Sequence, residues 1–331
     1  MIDPATVRAA ADVWRAAAGA DIAPLGAGHI NDTWLVSGPD GRWVLQRLNG
    51  RVFPDPVAVM EKVAAVTAHL RAGGQVRVPM LIETVDGAPF HVHDGEVWRL
   101  WEFIAGTRSL GTLTGTRQAE AAGQAFGALQ QALSGFAAPV PDPIPGFMQL
   151  DHYLALLDAA VAAQGATGAA AAALAEIDAR RDLAGLFADR DRLVHGDCKV
   201  DNLLYRHRGD EVVAVIDLDT VMRGHWAWDL GDLARSAAAT ADGFSPEQFA
   251  ALVRGFRRGV EAALAAEALV LAPRYVTVML AARFLTDHLN GDRYFKVAAR
   301  GDNLRRAREQ LALLAGMERQ ARAMRRAAEA A

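Results

Sequence analysis

Cysteine is almost absent from this 331-residue chain, with Cys198 the single example. That excludes an intramolecular disulfide and gives no reason to expect secretion. Cys198 follows Asp197 directly and reads either as a thiol beside a reactive centre or, more simply, as a small space-filling side chain. Lysine is nearly as scarce: Lys62, Lys199 and Lys296 are all there are. Net charge is only −4, and no block of like charge marks nucleic acid or an acidic membrane surface as the main partner. Long apolar runs are missing too. The Ala-rich stretch from Leu154 to Leu174 is the one candidate membrane segment, and Asp158, Gln164, Gly165 and Gly168 interrupt it. The amino terminus, MIDPATVRAAADVW, has no basic start and no continuous apolar core, so no signal peptide is expected. These absences point to a soluble, cytoplasmic protein, and 52% apolar content is enough for a sizeable core in a two-lobed unit.

What is present is concentrated between Arg192 and Asp219, RLVHGDCKVDNLLYRHRGDEVVAVIDLD. Leu203-Leu204-Tyr205 and Val212 to Ile216 are short apolar runs of strand type. His207-Arg208-Gly209-Asp210 between them is a polar, glycine-bearing turn. A two-residue loop near Gly209 and Asp210 pairs residues whose numbers sum to about 419. That pairing sets Asn202 opposite Asp217 at the open end, and Asp219 shares a face with Asp217 while the strand continues. Asp197 lies in the loop entering the hairpin, with Lys199 two residues on. An amide oxygen and a carboxylate meeting at one point make a hard-oxygen site suited to Mg2+. A separate carboxylate beside a lysine is what phosphoryl transfer requires, a hydroxyl-orienting base and a cation near the moving phosphate. The plainer alternative is an acidic loop ahead of a hairpin; the spacing and the second carboxylate count against it.

Asp197-x-x-x-x-Asn202 followed by a strand and Asp217 resembles the catalytic segment of the kinase-like fold. The version here, His195-Gly196-Asp197 with Ile216-Asp217, is similar to the aminoglycoside phosphotransferase and choline kinase superfamily. The resemblance implies an α+β, bilobal protein-kinase-like fold. A small sheet-bearing lobe over residues 1–101 would bind nucleotide, residues 102–106 would form a hinge, and a larger, mostly helical lobe over 107–331 would carry catalysis and acceptor binding. It implies ATP as co-substrate, Mg2+ as cofactor, Asp197 as base and His195 as a brace for the loop. Gly26-Ala27-Gly28-His29-Ile30-Asn31 lies where a kinase folds a flap over phosphates, which marks Gly26 and Gly28 as nucleotide-binding. Glu102-Phe103-Ile104 looks like the hinge, where backbone groups of Glu102 and Ile104 would meet an adenine. Glu61 is either the acidic partner of a phosphate-holding cation or a solvated helix-face residue. One departure stands out. No lysine falls on the third strand; Gln46 and Arg47 occupy that region on opposite faces, and Arg47 is the candidate cation.

Three segments resemble the N-acetylhexosamine 1-kinase branch of that superfamily: GHINDTWLV with VLQRLN, HGDCKVDNLLY with VIDLDTV, and RFLTDHLNGDRYFKV with DNLRRAREQ. By that resemblance Asp197 orients an anomeric hydroxyl, Lys199 assists near the phosphate, and Asn202 and Asp217 hold Mg2+. His29, Arg283 and Tyr294 match positions at the sugar pocket. If a helix ends near Leu289 and Asn290-Gly291-Asp292 reverses the chain, Tyr294 folds back toward Arg283. Otherwise Arg283 pairs with Asp287 along one helix face and Tyr294 fills the core. The implied activity is ATP-dependent phosphorylation of C1 of an N-acetylhexosamine or a related sugar. The alternatives are an aminoglycoside, choline or other amino alcohol, or homoserine as acceptor, and, from another class, a non-catalytic nucleotide-binding module.

Elsewhere the patterns predict helices over Pro4–Ala18, from Pro56 to about Leu70, over Thr116–Leu133 and from Leu304 to Ala330. Strands are expected at Thr33–Val36 and Arg42–Arg47, and a second hairpin turns at Asp94-Gly95. Asp229 is placed to cap or brace the catalytic loop and Asp232 either to face the cleft or, the plainer reading for both, to brace the structure.

Overall fold

The computed structural model describes residues 2–26, 30–240, 243–260 and 264–330. Helix α1 (Pro4–Ala11), capped by the Asp3 carboxylate, leads into three antiparallel strands, β1 (Asp21–Pro24), β2 (Asp32–Gly38) and β3 (Gly41–Arg47). Helix α2 (Pro56–Gly73) starts where Asp55 accepts the Ala58 N–H (2.9 Å) and stops at Gly74, whose φ is 67°. Strands β4 (Leu81–Ile82), β5 (His91–His93) and β6 (Glu96–Glu102) complete the sheet, in the order β1-β2-β3-β6-β4 with β5 also on β6. Asp94 and Gly95 both take positive φ, 51° and 77°, as a tight two-residue hairpin requires.

Strand β6 shows how this part is built. Val97 to Trp101 are buried without interruption because both faces of the strand are covered. Trp98 and Leu100 pack with Trp14, Val36 and Leu45 under α1. Val97 and Trp101 pack with Val59, Met60 and Val63 of α2. Arg99 shares the α2 face and is 1% exposed, a charge in the middle of an apolar strand.

Beyond Glu102 the chain is mostly helical. Strand β7 (Thr107–Arg108) and helices α3 (Thr116–Leu133), α4 (Leu150–Gln164) and α5 (Gly168–Asp178) come first. Four short strands follow: β8 (Arg192–Val194), β9 (Leu203–Arg206), β10 (Val212–Val215) and β11 (Met222–Gly224). Then come α6 (Trp226–Ala237), α7 (Pro246–Gly259), α8 (Ala266–Leu289), α9 (Asp302–Arg319) and α10 (Ala321–Ala330). Helices α3 and α7 lie so close that a Cβ on Gly123 would stand 2.1 Å from the Leu252 carbonyl oxygen. Three expectations change. The first helix ends at Ala11, with a separate 3-10 turn at Arg15–Ala17 instead of one helix to Ala18, and the final Arg-rich helix is two, parted at Gln320. Among the described residues, the helix long and apolar enough to cross a membrane is α8, not the Ala-rich tract, and 67% of its apolar window is buried, as a core helix would be.

Candidate active site

Strands β8 and β11 pair and present the loop His195–Lys199 between them. Asp229, in the first turn of α6, ties that loop down: its carboxylate accepts the backbone N–H groups of His195 (2.9 Å) and Gly196 (2.8 Å) and the Gln130 amide (2.8 Å). Burial still leaves the Asp229 carboxyl above its ordinary range, with His195 and these donors opposing the rise. His195 Nε2 meets the Ile216 carbonyl (3.0 Å), while Nδ1 accepts the Asp197 N–H (3.3 Å). That pairing assigns the ring proton to Nε2 and commits both nitrogens to the backbone. Gly196 has φ 80°, and a Cβ there would lie 2.8 Å from the Thr220 carbonyl oxygen, so the position needs glycine twice over. Cys198 is fully buried, and burial together with Asp229 and Asp232 pushes its thiol well up. It is an inert packing residue.

The Asp197 Oδ2 accepts from Lys199 Nζ (2.6 Å) and from the Asn202 amide (2.9 Å). Burial raises this carboxyl, but the adjacent Lys199, with help from His195 and Asn202, outweighs it and holds the group below the usual carboxylate range. Lys199 shows the converse: burial lowers it, and Asp197 and Asp217 more than restore it. Both bonds fall on Oδ2, which leaves Oδ1 without a partner among the described residues.

The hairpin register differs from the expected one. Leu203 pairs with Val215 and Leu204 with Ala214, and a bulge then shifts Tyr205 onto Val212. Asn202 therefore lies across from Ile216, whose N–H donates to its carbonyl (3.0 Å). Asp217 is already outside the strand, at φ 65° and ψ 64°, and Leu218–Thr220 forms a short 3-10 turn. Asp217 and Asp219 consequently do not share a strand face. Asp217 is half-buried, and no hydrogen bond or ion pair holds its carboxylate among the described residues. Burial and the charge of Asp219, against the pull of Lys199, push it up to about 6. An unpartnered carboxylate crowded by other carboxylates, one residue beyond the position across from Asn202, whose amide oxygen has no partner among the described residues, is a donor set that fits a hard divalent cation.

Asp219 turns the other way, into the sheet-bearing part, where three elements seize it. Arg99 holds both its oxygens (2.5 and 2.9 Å), and the Asn31 amide donates at 2.9 Å. From α2, Lys62 Nζ donates to the Asp219 backbone carbonyl (2.6 Å). Burial would raise the Asp219 carboxyl, but Arg99 carries it below its ordinary value. Burial takes Lys62 down to about 8 despite the attraction of Asp219. Gln46 faces this cluster from β3 and accepts Arg99 Nε (3.0 Å). Sequence reasoning missed the cluster. Its signals were Lys62 in phase with Val59, Val63 and Val66 on one helix face, and an arginine inside an apolar strand.

The remaining nucleotide-site candidates fare unevenly. Arg47 was expected at the phosphates, but strand alternation puts it on the sheet face opposite Arg99, where it pairs with Asp32 (2.8 Å) and Glu96 (3.6 Å). Glu61 is exposed, because α2 turns its neighbour Lys62 inward instead. Glu102 spends its N–H on the Met80 carbonyl (2.8 Å) and its carboxylate on Arg77 (2.9 Å). Ile104 is buried, and its carbonyl accepts Thr107 Oγ1 (2.6 Å). Gly26 has φ 67°; Gly28 and His29 lie outside the described residues.

A cavity of about 340 Å³ opens beside the catalytic loop, lined by Asp197, Lys199, Asp232, Arg283, Tyr294 and Phe295 among others. Asp232 is held by Arg235 (2.8 Å). Helix α8 ends at Leu289 and the chain reverses through Gly291 (φ 91°) and Asp292 (φ 57°). Asp287 then accepts the backbone N–H groups of Arg293 (2.8 Å), Tyr294 (2.8 Å) and Phe295 (3.0 Å) and the Asn303 amide (2.8 Å). It clamps the returning chain and makes no ion pair with Arg283 among the described residues. Tyr294, 47% exposed, is no core filler, and its ring lies 5.9 Å from Arg283 Cζ. The fold-back alternative is the one the structure adopts.

Residues 21–269 match the phosphotransferase enzyme family. Among solved structures, a microcompartment-associated aminopropanol kinase superposes with a TM-score of 0.66 at 18% identity, over 97% of each chain. An aminoglycoside phosphotransferase from Alicyclobacillus acidocaldarius gives 0.64 at 15% identity, again over 97% of each. A choline/ethanolamine kinase family protein from Mesorhizobium loti gives 0.58 at 16%, covering 95% of this chain and 98% of that one. At such identities the likeness is one of fold, a sheet in the N-terminal part followed by mostly helices.

Proposed function

The chain belongs to the phosphotransferase enzyme family, ATP-dependent enzymes that phosphorylate an alcohol group of a small molecule, and from that premise we propose that its acceptor is a sugar, phosphorylated at the anomeric hydroxyl of an N-acetylhexosamine. The observation that carries this reading is the cavity of about 340 Å³ that Asp197 and Lys199 line together with Arg283 and Tyr294. A guanidinium edge and a phenol are suited to sugar hydroxyls and an acetamido oxygen.

In this reading the acceptor hydroxyl donates to Asp197 Oδ1, the oxygen left free by Lys199 and Asn202. A carboxylate held below its usual range is a weak base. It therefore orients the nucleophile rather than deprotonating it early, which suits the loose transition state of phosphoryl transfer. Lys199, kept charged by Asp197 and Asp217, stabilises negative charge near the transferring group. Asn202 and Asp217 would hold Mg2+, which when bound neutralises charge on the nucleotide phosphates. Residues 1–101 serve as the nucleotide lobe, with 102–106 as its hinge.

The test is a screen of sugars, aminoglycosides and choline with labelled ATP and Mg2+, with Asp197→Asn as the control. Label transfer to N-acetylhexosamines, lost in the variant and at a reducing-end methyl glycoside, is the expected result. Transfer to an amine-bearing acceptor instead, with none to any sugar, overturns the assignment.

A further inference from the structure

Arg283 does more than border the cavity. Its Cζ lies 5.1 Å from the ring centroid of Phe147, 4.9 Å from Tyr153, 5.3 Å from Phe295 and 5.9 Å from Tyr294. Four rings around one positive centre form the box that recognises an ammonium group in a ligand. Here the protein has filled the box with its own cation. No carboxylate pairs with Arg283 among the described residues, since Asp287 is spent on the backbone of 293–295 and on Asn303. Its N–H edges likewise carry no hydrogen bond among those residues. Arg283 borders both the cavity of about 340 Å³ and an adjoining one of about 280 Å³ that also touches Tyr153.

The charges nearby lean the same way. Asp197 and Asp232 are neutralised by Lys199 and Arg235. Arg306, on the same wall, donates to two neutral oxygens, Asn303 Oδ1 (3.1 Å) and the Lys296 carbonyl (3.0 Å). Asp201 is an exposed lining acid, one against two arginines.

We propose that Arg283 is a specificity residue that occupies a cation box, shuts out acceptors carrying an ammonium group, and converts the box into a donor site for oxygen acceptors. An entering ammonium meets a guanidinium where it needs ring faces. An amide oxygen, hydroxyl or oxyanion meets free N–H donors held flat by stacking. This rests on the cavity being the acceptor site, though not on which sugar fills it.

The experiment uses choline and 3,3-dimethylbutan-1-ol, its uncharged carbon isostere, titrated calorimetrically into the wild-type protein and Arg283→Ala. Emptying the box should let choline bind at least about tenfold more tightly than it binds the wild type, and more tightly than the isostere binds the variant. A variant with native near-ultraviolet dichroism and no preference for choline refutes the proposal. Should the variant not fold, the wild-type protein still decides, because tighter binding of choline than of its isostere there overturns the idea and the reverse order upholds it. A gain of choline binding in the variant, together with no turnover of any sugar by the wild type, sinks the sugar assignment alone.

Discussion

Replacing Arg99 by Met removes one side of an ion pair in which both side chains are 1% exposed. Asp219 would keep the Asn31 amide but lose two guanidinium bonds (2.5 and 2.9 Å), leaving a carboxylate buried against the sheet. Breaking a buried pair from one side costs about 3–5 kcal/mol; an exposed pair would cost about 0–1 kcal/mol, and the burial decides between them. An unfolding entropy of ~2.1 cal/mol/K per residue over 331 residues turns that into a fall in Tm of about 4–7 °C, read by scanning calorimetry at pH 7.5. The pH dependence has a definite sign. The folded Asp219 carboxyl sits below its unfolded value because Arg99 outweighs burial. The pair's contribution is then complete above the unfolded value of about 4 and lost as pH falls through the folded one. The gap between wild type and variant should close below about pH 4. Adding Asp219→Leu should recover much of the loss, since an apolar pair of similar volume is tolerated where half an ion pair is not. A variant melting within about 1 °C of wild type at pH 7.5, or a gap unchanged at pH 3, would refute the reasoning.

Three further outcomes follow from the catalytic loop and the turn after it. Asp197→Asn should lower kcat by on the order of 10²–10⁴ with nucleotide affinity unchanged by calorimetry; near-full turnover would remove Asp197 from its role. Mg2+ alone should raise the Tm at pH 7.5 and do so progressively less below about 6, where Asp217 takes up a proton before a cation can bind. An equal gain at pH 5, or a gain that survives in Asp217→Ala, would place the ion elsewhere. Gly196→Ala should cost about 1–3 kcal/mol in urea unfolding, because φ is 80° and the Thr220 carbonyl oxygen lies 2.8 Å from the new Cβ; an unchanged midpoint would mean the loop has relaxed around it.

How legible these features were depended on how far apart in the chain their causes lie. Helix α3 begins and ends where periodicity put it, α2 begins at its Asp-Pro cap and ends at Gly74, and β5 and β6 turn at Asp94-Gly95. Each of those boundaries is set by residues within a few positions of it. The catalytic hairpin was half legible. Two short apolar runs around a glycine-bearing turn placed β9 and β10, but the bulge beside Val212 and the left-handed backbone of Asp217 moved the register and turned Asp219 out of line. Beyond Asp217 the chain is held from outside the hairpin, by Arg99 and Asn31 on the Asp219 carboxylate and Lys62 on its carbonyl.

The phosphate-site cation was sought at the end of β3 by analogy, and Arg47 was the charge found there. Strand alternation alone could have warned that Gln46 and Arg47 face opposite ways, but not which of the two faces α2. That depends on β6 pairing with β3 so that Arg99 stands beside Gln46. Arg99 is tolerable in an apolar strand only because its counter-charge arrives from 120 residues away. An isolated arginine in the run VWRLW is therefore the kind of local contradiction that signals a distant acid. Read that way, the pair predicts its own partner's location: an acid close after the metal-ligand candidate, where the sheet meets the catalytic segment. Asp219 is that acid, and Lys62 joins it from α2, donating to its backbone carbonyl even though burial takes the ammonium down to about 8.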